Sequence, residues 1–422
     1  MVVPAGTQVA DRIYYDDPGC TSFTAEVTAI REIARVDGKQ VWQIALDRTA
    51  FCPTSGGQPF DTGVLTATAR SGASLTVPIT NVEEDESGEV WHTTAKPLQE
   101  GTAVSGAVDA DRRRDHMQQH SGQHLLSAVL YRDFGARTIS FHLGSETSTI
   151  DLEGATLTEQ ALEQAEQATN QVVGQALPIS IQHVSQNEAE DMLAKGLLRK
   201  LPPRSGRIRL IEIPGLDLNA CGGTHVANTA GIGPLLLRGT EQVRGGVRLA
   251  FVCGGRAIQA AHDDFQRLAG LARTLSTGVE EVPDRIARLL AESRSAAKER
   301  TALLRSLAEA EAVQLAAPAT SSLVVHTLDP QQPGRDAAYA KLLASALVTN
   351  TPAKLALIAF PQGTESSVVL AAKRGSLDCG TSLRAALSDI GGRGGGSQEM
   401  AQGSLASDQL QSLLQKLQRE LA

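Results

Sequence analysis

The strongest constraint on this 422-residue chain comes from two motifs about one hundred residues apart, each carrying a pair of metal-ligand side chains. His120 and His124 are four residues apart in a segment with helical periodicity, so both imidazoles project from one helix face. Cys221 and His225 add a thiolate and a third imidazole, and the two glycines between them are free to adopt positive φ. Three imidazole nitrogens and one sulfur suit Zn2+, so we predict a fold that brings both pairs to one zinc ion.

The residues around the helical pair limit the chemistry. A zinc peptidase of the His-Glu-x-x-His type carries a carboxylate after its first helical ligand, but Ser121 stands at that position. This disfavours a zinc peptidase or amidase and favours a labile bond such as an aminoacyl ester, which needs mainly positioning and a polarised water. His116 is predicted to orient or cap rather than to bind the metal. The spacing leaves open whether the zinc is catalytic or structural.

The patterning predicts an α+β protein of four parts. Residues 1–105 contain short β-like runs between Gly, Asp and Ser, which predict an N-terminal β-barrel-like domain. Residues 106–255 predict an α+β domain with the zinc site, built on helices over Asp111–Phe134 and Glu159–Gln175. Residues 256–318 predict a long helical hairpin rather than an extended coiled coil. Residues 319–422 alternate strands and helices and predict a small C-terminal α/β domain with a glycine-rich loop.

Composition excludes several classes of protein. The five cysteines are odd in number and widely scattered, unlike a disulfide framework, so we predict reduced thiols. The net charge of −8 argues against indiscriminate coating of nucleic acid, so any RNA contact must be local. The chain shows neither a secretion signal nor a long apolar segment, which predicts a cytoplasmic protein without a membrane partner.

Two basic patches stand out against the acidic background, and both predict contacts to RNA phosphates. The alternative is that they form ordinary solvated faces. The first patch comprises Lys195, Arg199, Lys200, Arg204, Arg207 and Arg209, and the second comprises Arg112, Arg113 and Arg114.

Two glycine-rich segments predict binding through exposed backbone amides. Thr54, Ser55 and Gln58 surround two glycines in a loop that can hydrogen-bond a polar amino-acid side chain, although a tight turn between strands explains the same pattern. The second segment, 391–396, can hold a phosphate or another subunit, and a flexible linker is the alternative.

Together these motifs resemble the editing domain of alanyl-tRNA synthetase and its freestanding relatives, the long-form alanyl-tRNA editing proteins. Besides the two ligand motifs, the resemblance rests on a glycine-rich motif at 51–63, a pocket strand region at 140–145 and 149–152, and Arg244–Arg248. The segment 391–403 is similar to a C-terminal signature shared with alanyl-tRNA synthetases. The resemblance covers nearly the whole chain.

The resemblance implies hydrolysis of the ester that joins a mischarged serine or glycine to alanine transfer RNA. It also implies that His120, His124, Cys221 and His225 are the Zn2+ ligands. It places His142 in the pocket, where it would act with Thr54 and Gln58, whereas a lone histidine on a strand usually serves packing. It implies RNA binding or homodimerisation through the C-terminal part, and a chain without an aminoacylation domain. Cys52 stands where the family usually has an aromatic residue and Ser55 where many members have glycine, which predicts an altered pocket.

The alternative to an enzyme is a binding module, which would contain zinc and bind transfer RNA or a synthetase without hydrolysing anything. The complete set of four ligand residues favours the hydrolase. Comparing deacylation of seryl-charged and alanyl-charged alanine transfer RNA separates the two, because only an editing enzyme prefers the serine ester.

Overall fold

The structure is a computed structural model that describes residues 10–36, 39–69, 72–154, 157–198, 200–201, 207–318 and 321–421. The chain divides into two compact units, Met1–Leu268 and Ala269–Ala422. The predicted α+β class is confirmed, because both units combine helices with sheets. The finer division into four parts stays a prediction.

The N-terminal elements of the first unit are mainly antiparallel strands, as the β-like patterning predicts. They are, in chain order, β1 (Asp11–Arg12), α1 (Ile13–Asp16), β2 (Ser22–Val36), β3 (Lys39–Leu46), β4 (Arg48–Thr49), β5 (Gly63–Thr68), β6 (Ser74–Ile79), β7 (Asn81–Glu84), β8 (Val90–Thr94) and β9 (Ala103–Val108).

Seven of these strands form one open sheet in the order β6-β5-β9-β2-β3-β8-β7. The predicted barrel-like closure is therefore wrong for the described residues, since the edge strands β6 and β7 do not pair with each other. The two edges are joined by Thr80 alone, and a one-residue link is too short for the hairpin turn that would pair antiparallel strands. Alternating side chains such as Val27, Ile44, Leu65 and Val77 fill the core of this sheet.

The remaining elements of the first unit begin with the long helix that carries His120 and His124. They are α2 (Ala110–Phe134), β10 (Arg137–Leu143), β11 (Ser148–Glu153), α3 (Glu159–Gly174), β12 (Ser180–Val184), α4 (Gln186–Ala194), β13 (Ile208–Ile213), β14 (Asp217–Ala220), β15 (Leu235–Val243), β16 (Gly246–Cys253) and α5 (Gly254–Thr274).

Helix α2 is the centre of this part. Asp109 caps its first turn by accepting a hydrogen bond from Arg112 N, and Gly135 ends it in a left-handed conformation. The helix is buried on every side from Gln119 to Leu130, which fixes the directions of the ligand imidazoles. One antiparallel sheet, β10-β11-β16-β15, packs against it, and a second, β12-β13-β14, leads into the Cys221 motif.

The second unit is built on a five-stranded mixed sheet in the order β17-β18-β19-β21-β20, with one parallel pair, β17-β18. Its apolar cores lie against α7 and against α8 with α9. The elements are α6 (Val282–Ala316), β17 (Leu323–Thr327), α7 (Ala337–Asn350), β18 (Leu355–Gln362), β19 (Glu365–Ala372), α8 (Cys379–Ser388), β20 (Arg393–Gly396), β21 (Met400–Ala406) and α9 (Leu410–Leu421).

Two long helices, α5 and α6, occupy the segment where a hairpin is predicted. Because α5 crosses the division between the units, the packing of these helices as a hairpin stays a prediction. In the part of the chain that the structure describes, no helix combines the length and the apolar character needed to cross a bilayer.

The C-terminal glycine-rich segment is an edge strand rather than a free loop. Strand β20 pairs with β21, so part of its backbone is engaged in the sheet. A Cβ on Gly394 or Gly403 would lie 2.5 or 2.2 Å from Leu387 Cδ1, so these glycines let α8 approach the strands closely. The RNA-binding or dimerisation role that the resemblance implies for this segment stays a prediction.

Gly403→Ala is expected to destabilise the second unit by about 1–3 kcal/mol, because its Cβ would overlap the fully buried Leu387. Thermal or denaturant unfolding measures the loss. Gly395→Ala is the matched control in the same hairpin, since among the described residues its Cβ would meet the end of the Arg384 side chain at the ordinary contact distances of 3.5 and 4.0 Å. Equal stability of both variants would contradict the close-packing explanation.

Candidate metal centre

The four predicted ligand residues converge on one point. The ligand atoms of His120, His124, Cys221 and His225 all lie within 4.8 Å of one another. Cys221 Sγ lies 3.4 Å from His120 Nε2 and 3.3 Å from His225 Nε2. Ligand atoms about 2.0–2.3 Å from a tetrahedral zinc ion are separated by roughly 3.3–3.8 Å, and both separations from Cys221 Sγ fall in this range, so the donors are suited to Zn2+.

The histidines of the helical pair use their other ring nitrogen to hold their orientation. Gln58 Oε1 accepts hydrogen bonds from Thr224 N at 3.0 Å and from His120 Nδ1 at 2.8 Å, which leaves His120 Nε2 free for metal. His124 Nδ1 donates to Asp217 Oδ2 at 2.9 Å, which leaves His124 Nε2 free in the same way.

Ser121 orients the third histidine. Its hydroxyl oxygen accepts a hydrogen bond from Val226 N and lies 3.1 Å from His225 Nδ1, while His225 Nε2 faces the thiol. The residue that replaces the carboxylate of a zinc peptidase therefore supports a ligand.

The charges around the thiol favour its metal-binding form. Burial acts to raise the pKa of Cys221, but the imidazoles of His120 and His225 outweigh it, and the net pKa is well below the ordinary value. Burial lowers the pKa of His124, but hydrogen bonds to Asp217 and Cys221 raise it to about 10 overall. Burial and the neighbouring His120 lower the pKa of His225 to about 3. Zinc selects a thiolate beside neutral imidazoles, so His225 is already in its metal-binding form, whereas His124 must release the proton on Nε2 as the metal binds.

Glycines in both ligand motifs allow close packing. A Cβ on Gly223 would lie 2.3 Å from His120 Cε1 and 2.7 Å from Gln58 Oε1. A Cβ on Gly122 would lie 2.2 Å from Cys253 Sγ, where β16 crosses α2. The predicted use of positive φ between Cys221 and His225 is wrong, because Gly223 and its neighbour Gly222 both adopt other conformations.

The loop Thr54–Gln58 is a tight turn that borders the ligands. Gly56 and Gly57 have φ of 55° and 89°, and paired backbone hydrogen bonds join Ser55 to Gln58, as in a type I′ hairpin turn. Gly57 packs on the ring of Phe141, whose centroid is 5.4 Å from that of His120. The turn explanation is thus correct, and the turn also supplies Gln58 to the centre.

Arg209 braces the metal loop and does not face solvent. The residue is 5 % exposed, and its guanidinium donates to the carbonyl oxygens of Cys221 at 2.7 Å and Gly223 at 2.9 Å. Its Nε donates to Tyr15 O at 2.8 Å. The prediction that Arg209 contacts RNA phosphate is therefore contradicted, because the side chain is buried, with Nε and Nη1 bonded inside the protein and Nη2 enclosed without a hydrogen-bond partner among the described residues.

The other predicted basic residues divide by exposure. Arg113 is buried in an ion pair with Asp61, which contradicts its predicted role in RNA contact. Arg112 is half-buried and donates to Phe60 O. The exposed members are Lys195, Lys200, Arg207 and Arg114, and the members that lie outside the described residues are Arg199 and Arg204.

Three further predicted residues stand apart from the ligand cluster. His142 is exposed, and strand alternation places it on the face of β10 opposite to Phe141, so it is not brought to the ligands. The side chain of Thr54 is exposed. His116 is buried and 4.0 Å from Asp61 Oδ1, and it is outside the ligand group, as predicted.

Sequence reasoning missed Asp217 and Tyr15, and it assigned Phe141 no role of its own within the pocket strand region 140–145. A carboxylate four residues before Cys221 was a usable signal for Asp217, because metal-bound histidines often donate to carboxylates. Tyr15 comes close to the ligands through tertiary contacts that no local pattern marks.

Three family descriptions match parts of the chain. "Threonyl and Alanyl tRNA synthetase second additional domain" matches residues 208–249, which include Cys221 and His225. "tRNA synthetases class II (A)" matches residues 5–112, and the DHHA1 domain matches residues 320–422.

Curated relatives include ligases and editing proteins. Alanine–tRNA ligase of Natronomonas pharaonis is 33 % identical over 306 residues, which is 72 % of this chain and 32 % of the ligase. Alanyl-tRNA editing protein Aarsd1 of Mus musculus is 34 % identical over 269 residues, covering 63 % of this chain and 62 % of that protein. The corresponding protein of Bos taurus is 34 % identical, covering 63 % and 58 %.

The chain spans about a third of the length of the ligases and about three fifths of the editing proteins that it matches. Among solved structures, the C-Ala domain from Aquifex aeolicus alanyl-tRNA synthetase matches with a TM-score of 0.20 and 22 % identity, covering 24 % of this chain and 87 % of that chain. The resemblance to alanyl-tRNA editing proteins and alanyl-tRNA synthetases that the motifs predict is confirmed.

Proposed function

We propose that this chain, a relative of alanine–tRNA ligases and alanyl-tRNA editing proteins, hydrolyses the ester that joins a wrongly attached serine or glycine to alanine transfer RNA. The observation that carries the proposal is the contact of the glycine-rich turn with the ligand cluster, where Gln58 bonds to His120 and Ser55 lies beside Gly222. Gln58 joins the two parts, since it bonds to the ligand His120 and to Thr224.

The residues of this chain contribute to the reaction by holding the metal ligands in fixed positions. A zinc ion held by the four ligands would supply a fixed positive charge beside the ester. Gln58, Asp217 and Ser121 hold the imidazoles, and Arg209 holds the loop that carries Cys221, so the pocket wall is fixed before substrate arrives. We therefore assign Gln58 a positioning role.

The reaction itself is simple. A water oxygen adds to the ester carbonyl carbon, and the bond from that carbon to the ribose oxygen breaks. The products are the free amino acid and a ribose hydroxyl that carries one proton of the water. An aminoacyl ester is labile enough for positioning to supply much of the acceleration.

Discrimination between serine and alanine is the decisive test of this function. We expect purified zinc-loaded protein to release serine from seryl-charged alanine transfer RNA at least tenfold faster than alanine from the alanyl-charged form. A site that binds a substrate hydroxyl rejects an analogue without it, because buried polar groups are left without a partner. Glycyl-charged transfer RNA measures how far the pocket accepts a smaller side chain. Equal rates for serine and alanine would contradict an editing role.

One observation favours a second candidate. Four protein side chains converge on one point, which is the closed ligand pattern of structural zinc. In that case the chain is a zinc-containing module that binds transfer RNA, and it would bind charged alanine transfer RNA without releasing amino acid. The same assay distinguishes the two functions.

Exposed lysines beside α4 are proposed to contact the transfer RNA backbone. For Lys195→Glu/Lys200→Glu we expect weaker binding and a slope of log K against log salt smaller by about one for each phosphate that is no longer neutralised. Zinc content should be unchanged. Lys96→Glu, an exposed lysine elsewhere in the first unit, is the control for charge reversal. Unchanged affinity and salt slope would remove this patch from the interface.

A further inference from the structure

Two side-chain hydroxyls lie beside Gly222, next to the ligand Cys221. A Cβ on Gly222 would be 3.4 Å from the hydroxyl of Tyr15 and 3.5 Å from Ser55 Oγ. Both hydroxyls therefore border the same side of Gly222, from which no side chain projects.

The hydroxyl of Tyr15 is oriented to donate. Arg12 Nη1 donates to it at 2.8 Å, so its oxygen is engaged and its own proton remains for another acceptor. Arg12 is itself fixed by Glu84 Oε1 at 2.7 Å and by Gly88 O at 2.8 Å. A hydrogen bond received from a guanidinium polarises the phenol and makes it a stronger donor.

The same arginine that braces the metal loop also holds the Tyr15 ring. Arg209 donates to Tyr15 O, and its guanidinium carbon lies 5.4 Å from the ring centroid. Since Arg209 also bonds to the carbonyl oxygens of Cys221 and Gly223, the phenol and the metal loop are fixed relative to each other. This is the rigidity that a site stabilising developing charge requires.

Ser55 completes the pair of hydroxyls. Its backbone is fixed in the type I′ turn by two hydrogen bonds with Gln58. Within the described part of the chain its Oγ has no hydrogen-bond partner, so its proton is also free to donate.

We propose that the space beside Gly222 binds the carbonyl oxygen of the aminoacyl ester, with Tyr15 and Ser55 as its two hydrogen-bond donors. This inference rests on the proposed function. When the water oxygen bonds to the carbonyl carbon, the carbonyl π electrons move onto the oxygen, and both hydroxyls stabilise that negative charge. The charge returns as the bond to the ribose oxygen breaks, so neither hydroxyl loses its proton.

Tyr15→Phe tests the catalytic role of the hydroxyl, because it keeps the ring and removes one oxygen. We expect kcat on seryl-charged alanine transfer RNA to fall about a hundredfold, with KM raised by no more than about tenfold and zinc content unchanged. Tyr14→Phe is the matched control, since its hydroxyl is buried and has no hydrogen-bond partner among the described residues. Ser55→Ala should also lower kcat. An unchanged kcat in Tyr15→Phe would overturn the proposal.

A stable amide analogue separates this inference from the proposed function. The probe is 3′-deoxy-3′-(L-serylamino)adenosine, whose amide carbonyl fits the same space, and calorimetry measures its affinity. We expect about tenfold weaker binding to Tyr15→Phe and no binding to Gly222→Ala, whose methyl group fills the space.

Each result has a definite meaning. If wild-type protein hydrolyses no charged transfer RNA but binds the analogue through Tyr15, the proposed function is wrong and the proposed carbonyl-binding site is correct. If the wild type and all variants bind the analogue and deacylate seryl-charged transfer RNA equally well, the proposed carbonyl-binding site is wrong and the proposed function is correct. Absence of analogue binding to the wild type would also contradict the proposed carbonyl-binding site.

Discussion

Gly223→Ala is expected to abolish tight zinc binding and deacylation together. The added Cβ would lie 2.3 Å from His120 Cε1, 2.5 Å from His120 Nδ1 and 2.7 Å from Gln58 Oε1. Neither neighbour can yield, since both side chains are fully buried and hydrogen-bonded to each other. The imidazole must rotate or the loop must move, and both changes separate His120 from Cys221. Metal analysis after dialysis should fall from about one zinc per chain to almost none.

Two comparisons make this result specific. His120→Ala and Cys221→Ala remove a ligand directly and should lose zinc to the same extent. Gly222→Ala should keep its zinc, because its Cβ would meet the nearest atoms at the ordinary distances of 3.4 and 3.5 Å. Full zinc content in Gly223→Ala, or equal loss in both glycine variants, would contradict the assigned packing of Gly223 on His120.

The metal ligands could be predicted from the sequence because each pair is defined locally. A spacing of four residues on a helix and a short glycine motif both restrict geometry before tertiary structure forms, and only their meeting had to be inferred. The partners of the imidazoles depend on tertiary contacts: Gln58 and His120 are 62 positions apart, and Asp217 and His124 are 93 apart. No period in the sequence marks such pairs.

Glycines and arginines were the residues that sequence patterns described least well. Gly223 suggested a positive φ and Gly394 a flexible or anion-binding loop, but each lies where a Cβ would collide with a neighbour. Arg113 and Arg209 belonged to basic patches and proved to be buried. The residue type alone does not distinguish an exposed or flexible position from a buried, closely packed one. Only the packing around a glycine or an arginine decides its role.

The ion pair of Arg113 and Asp61 ties the glycine-rich segment to the zinc helix. Arg113 Nε lies 3.1 Å from Asp61 Oδ2, and its Nη1 donates to Pro18 O at 2.7 Å. The same carboxylate oxygen accepts a hydrogen bond from Cys52 N at 2.7 Å. Both side chains are almost fully buried. The pair thus connects α2 with the start of the segment that carries Gln58.

Arg113→Ala is expected to lower the free energy of unfolding of the first unit by about 3–5 kcal/mol, because it leaves the Asp61 carboxylate buried without its counter-charge. Denaturant unfolding measures the change. Arg114→Ala is the matched control one position along the helix, and its exposed pair with Asp111 should contribute less than about 1 kcal/mol. Arg113→Met/Asp61→Leu should recover part of the loss, because removing both charges removes the desolvation penalty. A loss of under about 1 kcal/mol in Arg113→Ala would mean that water reaches Asp61, and the segment carrying Gln58 would then need another anchor to α2.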